Sequence, residues 1–427
     1  MNSRINLWMN LAPVVALACL QPESLRADSG DATAIYPDKP AQLISWGYDV
    51  KEPGRAPRLT PELAQTLYGD DQMTSLRVPI YGDGERPAHP ADGQVVGSYY
   101  DDTLKAMANA RKVQPKVLFF ASKKLENTKT FPPWVLDSDG VKPEAYARML
   151  ADYLAYMEAH GFVIDILGVD NEVEWNKGNI TPEKYRKIVD ELTSLSKTRG
   201  FTLPKYFLGP DSYYPTPDWV REAIRSGTRL DIVGVHYYPE RPIEKLKAEV
   251  EAAGDKPIWH TELHKGKTKN GHVDGAEVTL ATFFDCTDLG VSNFIWWSYD
   301  REKTMSGLEK AIVQSTVNTR PIKADNPHDG SIIRAFMGKT NITVWAINSS
   351  ENNPDTCQIH LASGTITGDV TYERWTKAGE KGDSGKATSG DPNTFTLDLP
   401  PKTITEFVIP YTSSTAIAGD KNPPVQK

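Results

Sequence analysis

The sequence predicts an α/β protein: a (β/α)8 TIM barrel carrying a small C-terminal antiparallel β-sandwich. Three observations predict it. Short apolar runs alternate with helix-like stretches eight times over roughly 250 residues, the usual size of such a barrel. The runs are continuously apolar, as strands buried on both faces are. After about Thr319 the pattern changes to short alternating runs separated by Gly, Asn, Asp and Ser clusters, the mark of an antiparallel sandwich. At 427 residues the chain exceeds what one core usually holds, so a large and a small domain are expected. The expected boundaries are 1–27 for a leader, 28–318 for the barrel, 319–411 for the sandwich and 412–427 for a disordered tail.

The leader is predicted from Arg4, the apolar run Leu11 to Leu20 and the small residues after it, with Ala16-Leu17-Ala18 or Leu25-Arg26-Ala27 as cleavage sites. The run is too short to span a bilayer, so secretion or periplasmic export is expected, with lipidation at Cys19 a minor alternative. A formal net charge of −8 argues against a nucleic-acid binder. Of the cysteines beyond the leader, Cys286 and Cys357 fall in different predicted domains, either as two buried thiols or as one inter-domain bridge.

The elements follow in order. Asp28 to Pro40 is polar and a candidate extra strand for the second domain. Gln42 to Val50 reads as the first barrel strand, and Thr60-Pro61-Glu62 opens the first helix. Ser75 to Ile80 is the second strand, Tyr99 to Val113 a helix and Pro115 to Ala121 the third strand. Pro143 to His160 is an amphipathic helix, with Met149, Leu150, Tyr153, Leu154 and Met157 on one face. The fourth strand stops at Asp170-Asn171-Glu172, and Thr181-Pro182-Glu183 caps the next helix. Tyr206 to Gly209, Leu230 to His236, Pro257 to His264 and Ser292 to Trp297 are strands five to eight. Helices are expected at Thr216 to Ser226, Ile243 to Ala252 and Gly275 to Leu289, and a short one near Leu308 to Val313.

A TIM barrel places its chemistry at the C-terminal ends of its strands. Those ends read Tyr48 and Asp49, Arg77, Ser122 and Trp134, Asn171 and Glu172, Asp211, His236 to Tyr238, Glu262, and Trp296 with Trp297. This mouth is rich in acids and aromatics. Sugar rings have apolar faces that stack on Trp and Tyr, and glycoside cleavage needs one carboxylic acid to protonate the departing oxygen and one carboxylate to attack or to activate water. An Asn can hold the sugar 2-hydroxyl, and an Arg can keep a nucleophile ionised. Glu172, Glu262, Asn171 and Arg77 supply those needs. No phosphate-cradling glycine loop, nicotinamide fingerprint or metal spacing is present, so neither a cofactor nor a metal is expected.

Asn171-Glu172 after the fourth strand, Glu262 after the seventh, Arg77 on the second, aromatics after the sixth and Trp on the eighth resemble the pattern of the clan A retaining glycoside hydrolases. With the C-terminal sandwich, the chain looks most like glycoside hydrolase family 30, with families 39 and 51 as neighbours. It departs from that family where its first strand ends in Gly47-Tyr48-Asp49 rather than a Gly-rich opening. The resemblance implies that Glu172 is the acid/base, Glu262 the nucleophile and Asn171 the ligand of the 2-hydroxyl, and that His236 or Tyr238 touches the nucleophile or the sugar.

Each residue also has a plainer reading. Glu174 competes with Glu172, or is a solvated loop charge. Arg77 is a substrate contact or an ion-pair partner. His236, His260 and His264 lack helical metal spacing and are expected to line the cleft. Trp134, Trp296 and Trp297 are sugar platforms or core residues. Asp211 binds a hydroxyl or caps the following helix. Lys123, Lys124, Lys129, Arg86 and His89 on two long loops either meet an acidic sugar or are solvated. The expected partner is a carbohydrate, and the expected state is a monomer. The function expected is double-displacement hydrolysis of O-glycosidic bonds. The alternatives are a non-catalytic carbohydrate-binding barrel and a transglycosylase using the same residues.

Overall fold

The computed structural model describes residues 32–412, apart from 53, 83–85, 124–130, 175–177, 239–241, 264–275, 298–306, 327–330, 378–379 and 392. The expected leader with Cys19, and the tail beyond Thr412, lie outside the described residues, as do His264, Lys124 and Lys129. Among the described residues no helix is long and apolar enough to cross a membrane.

Eight parallel strands close into a barrel in chain order: Ser45–Asp49, Ser75–Ile80, Leu118–Lys123, Ile166–Gly168, Tyr206–Ser212, Ile232–Val235, Ile258–Leu263 and Asn293–Trp296. The first and eighth strands pair directly, with Gly47 opposite Ile295. A glycine is needed at that position, because a Cβ there would sit 2.2 Å from Ser75 Oγ and 2.7 Å from Ile295 Cδ1. Side chains alternate between the barrel interior and the helix layer. Phe120, Ile166, Leu208, Ile232 and Trp259 form a separate apolar cluster in the interior, with Phe120 edge-on to Trp259 at 6.4 Å. This plug fills the barrel below its mouth, and the Arg77 guanidinium lies over the Phe120 ring at 5.1 Å.

The outer helices begin where the sequence signals them. Thr60 and Thr181 each accept a hydrogen bond from a first-turn amide, with proline just inside the helix. Gly200 closes the helix Pro182–Arg199 in the left-handed conformation. The first helix, Pro61–Ala64, passes into a π-helical turn, Gln65–Asp70. The last helix, Gly307–Thr316, holds the first strand through Trp46 Nε1, which donates to Thr316 Oγ1 at 2.9 Å.

The second sheet is mixed, not purely antiparallel. Its order runs Glu380–Lys386, Thr371–Lys377, Thr403–Thr412, Asn341–Asn348, Ser331–Met337, Arg320–Asp325, Ala32–Pro40, Asp355–Leu361, Thr394–Leu399 and Thr388–Asp391. The sheet folds over on itself: Phe395, near one end of that order, lies 6.4 Å from Phe407, near the other, inside one apolar core. Ala32–Pro40 belongs here, antiparallel to Arg320–Asp325 and parallel to Asp355–Leu361, so the barrel starts at Ser45 rather than at residue 28. The pairing spans about three hundred residues of chain, a contact that local patterning cannot signal.

Barrel and sandwich share packing. Phe336 stacks on Phe283 at 5.5 Å, Trp345 Nε1 donates to Ser315 Oγ at 3.1 Å, and Arg334 clamps Asp288 with contacts of 2.5–2.9 Å. Cys286 and Cys357 are both buried and both free thiols.

Candidate active site

The fourth strand ends at Gly168, and the chain then turns sharply over the barrel mouth. Asp170 organises the turn: its Oδ1 accepts from the Asn171 amide at 2.8 Å and from Lys123 Nζ at 3.1 Å. Glu172 follows with φ at +53°, a left-handed backbone that is costly for a residue with a side chain. Its amide donates to the Asp211 carbonyl at 2.8 Å, which ties this turn to the end of the fifth strand. Asp211 is left-handed too, at φ +57°.

The seventh strand delivers Glu262. In a regular strand, neighbouring residues face opposite sides. Here the register slips between His260 and Leu263, and both Thr261 and Glu262 reach the polar cluster at the mouth. Thr261 Oγ1 donates to Asp211 Oδ1, and Glu262 meets Arg77.

Arg77 stands at the centre and is fully buried. Nη1 donates to Glu262 Oε1 at 2.7 Å and to the Thr261 carbonyl at 3.0 Å, and lies 3.3 Å from Asp49 Oδ2. Nη2 donates to Asp211 Oδ2 and Asn171 Oδ1 at 2.6 Å each and to Ser122 Oγ at 2.9 Å. Lys51 supplies a second cation, 2.5 Å from Glu262 Oε1 and 2.7 Å from Asn171 Oδ1. The Asn171 carbonyl oxygen thus accepts from both cations, and its NH2 faces away from them.

His236 sits between the two glutamates. Its Nδ1 is 3.2 Å from Glu172 Oε1 and 3.5 Å from Glu262 Oε2, and Nε2 is 3.3 Å from Asp211 Oδ1. Tyr238 donates its hydroxyl to Glu262 Oε2 at 3.4 Å. Atoms of Glu172, His236 and Glu262 all lie within 4.8 Å of one another. That spacing would suit a metal ion, but with carboxylates facing both ring nitrogens His236 is set up as an imidazolium, which has no lone pair to give.

The electrostatics separate the groups. Burial pushes Glu262 up, but His236, Lys51, Arg77 and the Lys51 hydrogen bond outweigh it and hold its carboxyl well below the usual range. Asp211 is held at about 2: burial raises it, and the charges of Arg77 and His236 more than reverse that. Burial alone would deprotonate His236, yet Glu262, Asp211 and the bond to Glu172 lift it from 6.5 to about 9. Asp49 moves up, because burial exceeds the pull of Arg77 and Lys51.

A raised folded-state value stabilises fully below the unfolded value, and the effect is lost as pH climbs through the folded one. His236 should therefore contribute stability below about pH 6.5 that disappears by about pH 9, up to roughly 3 kcal/mol. Thermal unfolding across that window should show a declining midpoint in the wild type and a flatter one in His236→Asn. Equal slopes for the two proteins would mean that His236 folds neutral.

Several expected contacts fall elsewhere. Arg77 and Asp211 are wholly buried and bonded within the protein, Arg77 to Glu262 and Asp211 to Thr261, rather than open to the cleft. Asp211 does not cap the next helix, whose N-cap, Thr216, makes no side-chain bond there. Trp296 is 2% exposed and packs against Trp46 at 6.4 Å, in the core and not in the cleft. Trp297 is half-buried beneath the Arg55 guanidinium at 5.1 Å. Trp134 is half-buried, and its indole N–H donates to the His89 carbonyl at 2.9 Å.

His260 also leaves the cleft: it packs on Phe294 and meets the Tyr237 carbonyl at 2.7 Å. Lys123 belongs to the third strand, buried against Asp170 and over the Phe131 ring at 3.4 Å, and burial lowers it to about 8 against the pull of Asp170. His89 is buried against the Tyr100 hydroxyl, and Arg86 donates to the Tyr99 carbonyl. Glu174 is exposed and accepts from the Tyr213 and Tyr214 amides at 3.3 and 2.9 Å, bracing a ring pair beside Tyr238.

Lys51 is the site residue that reading the strand ends misses. It lies two residues beyond the first strand, and Asp49 Oδ1 accepts its backbone N–H at 2.5 Å, folding the chain inward over the barrel. The Asp49-Val50-Lys51 spacing was the available signal.

The fold, a TIM barrel with an appended β-sandwich, is similar to that of solved family 30 glycoside hydrolases. The family 30 subfamily 8 xylanase of Clostridium acetobutylicum superposes with a TM-score of 0.66 at 20% identity, over 89% of this chain and 99% of that one. The family 30 endoxylanase of Clostridium papyrosolvens C71 gives 0.65 at 16% identity, over 89% and 100%. By sequence, a glucuronoxylanase of Bacillus subtilis is 23% identical over 299 residues, 63% of this chain. The match spans 66% of that relative, just under two thirds of its length. No family model matches the chain.

Proposed function

We propose that the protein is an exported, retaining glycoside hydrolase acting on a β-linked polysaccharide of the xylan type. One observation carries the reading: oxygens of Glu172, in the turn after the fourth strand, and Glu262, on the seventh, lie within 4.8 Å of each other at the barrel mouth. Retaining enzymes keep their carboxyl groups about 5–5.5 Å apart, whereas inverting ones leave about 6.5–9.5 Å for a water. The two acids also differ as two roles require. Glu262 is the more enclosed, with side-chain exposures of 5% against 13% for Glu172, and it carries the surrounding cations.

Glu262 attacks the anomeric carbon as an ionised carboxylate while Glu172 protonates the departing oxygen. Glu172 then takes a proton from the water that releases the sugar. Asn171, its carbonyl fixed by Arg77 and Lys51, turns its NH2 to the 2-hydroxyl. The Tyr213, Tyr214 and Tyr238 rings supply a stacking surface.

The xylan class rests on what the similar proteins are called: xylanase, endoxylanase and glucuronoxylanase. Export rests on the run from Leu11 to Leu20, and N-terminal sequencing of protein recovered outside the cytoplasm tests it. The test of the chemistry is incubation with xylans and β-glucans, following the first product anomer by proton NMR. A β-anomer appearing before mutarotation is expected. An initial α-anomer would overturn the retaining assignment.

A further inference from the structure

The two oxygens of Glu262 have different surroundings. Oε1 is held at 2.5 Å by Lys51 Nζ and at 2.7 Å by Arg77 Nη1. Among the described residues Oε2 has only the longer contacts, 3.4 Å to the Tyr238 hydroxyl and 3.5 Å to His236 Nδ1, and faces the same ring nitrogen as Glu172. Oε2 is therefore the oxygen free to bond to carbon, and Oε1 the one that stays with the cations. Arg77 divides its charge among Glu262, Asp211 and Asp49. Lys51, with its side chain 2% exposed, pairs among the described residues with Glu262 alone.

We propose that Lys51 acts chiefly on the second displacement, holding Oε1 so that the Glu262 carboxylate departs readily when water cleaves the glycosyl–enzyme. The inference rests on Glu262 being the nucleophile. In the first step an Oε2 lone pair forms the bond to the anomeric carbon, and the pair of the breaking bond goes to the departing oxygen, which takes the Glu172 proton. Glu262 thereby loses its charge. In the second step the water oxygen bonds to that carbon, its proton passes to Glu172, and the C–Oε2 pair returns to Glu262. The recovered charge spreads onto Oε1, where Lys51 donates. A cation at Oε1 stabilises the free carboxylate more than the ester, so it slows ester formation and speeds ester cleavage.

The test uses the full chain, Lys51→Met and Lys51→Arg, and a dinitrophenyl β-glycoside of whichever sugar the wild type releases. In Lys51→Met, kcat should fall by about tenfold or more. KM should fall with it, leaving kcat/KM within about threefold. Rapid mixing should show a burst of one dinitrophenolate per enzyme ahead of the slower steady state. The acid limb of kcat/KM should move to higher pH, because Glu262 then keeps Arg77 and His236 but not Lys51 against the opposing charges of Glu172, Asp49 and Asp211, with the Tyr238 hydroxyl unchanged. Lys51→Arg should recover most of kcat.

A Lys51→Met enzyme that loses kcat/KM without a burst, at an unchanged acid limb, would make Lys51 merely structural and overturn the inference. Glu262→Gln separates the two readings. If it is inert while Lys51→Met shows no burst, the inference alone fails; if it retains full turnover, the nucleophile assignment and the inference fall together.

Discussion

Glu172→Ala is expected to lose about 10²–10⁴-fold in kcat/KM on a polysaccharide, whose departing oxygen needs a proton, and to keep most of its first-step rate on a dinitrophenyl glycoside, whose phenolate leaves without one. Azide should restore its turnover and emerge as a glycosyl azide of unchanged configuration, because it enters from the face that Glu172 has vacated and meets the intermediate on Glu262. Glu262→Ala should lose more, on the order of 10⁴-fold or beyond, whatever the leaving group. There azide replaces the nucleophile itself, and the product should carry the opposite configuration. The proposed roles rest on position. The cations gather on Glu262, which suits an ionised nucleophile, and Glu172 is the more exposed of the two, which suits a group that must meet a leaving group and then water. NMR of the two azide products reads the assignment directly. Interchanged configurations would swap the roles, and undiminished hydrolysis by Glu262→Ala would remove the nucleophile altogether.

The barrel was legible because eight apolar runs of strand length, each closed by turn residues, leave little else to build. The acid pair was legible for the same reason: Glu172 and Glu262 each end such a run, and a TIM barrel brings strand ends together. What failed was the assignment of faces. Adjacent residues of a strand point opposite ways, so Trp296 and Trp297 could not both face sugar. Trp296 took the helix side against Trp46, and the period of two held the means to see it. At Thr261 and Glu262 the same rule misleads, because the register slips there and neither residue type announces it. Lys123 shows a third cause. As a lysine after an apolar run it reads as loop charge, yet Asp170, nearly fifty residues on, pairs with it in the interior. An ion pair buried between neighbouring strands is invisible while the helix between them keeps its partners far apart in the chain.

Arg77→Leu should be the most damaging single change to stability. Asp211 and Glu262 are both within 2.7 Å of this guanidinium and Asp49 is at 3.3 Å, with Arg77 fully buried. Deleting one partner of a buried charge set leaves the others unneutralised in a poorly solvated site, typically a loss of about 3–5 kcal/mol. That is a large part of the roughly 5–15 kcal/mol of a whole domain. Arg77→Lys should rescue only part, since one ammonium cannot take the place of Nη1 on Glu262 and Nη2 on Asp211 at once. The pH dependence gives the sign. In the wild type the depressed Asp211 and Glu262 contribute stability above the ordinary carboxylate range, lost as pH falls through their folded-state values, about 2 for Asp211. Without Arg77 those carboxyls rise and can shed their repulsion by taking up protons. The deficit of Arg77→Leu, measured by urea unfolding, should therefore be greatest near pH 7 and shrink towards pH 4. A deficit that stays constant across this range would place the damage in the lost volume over Phe120 rather than in the stranded carboxylates.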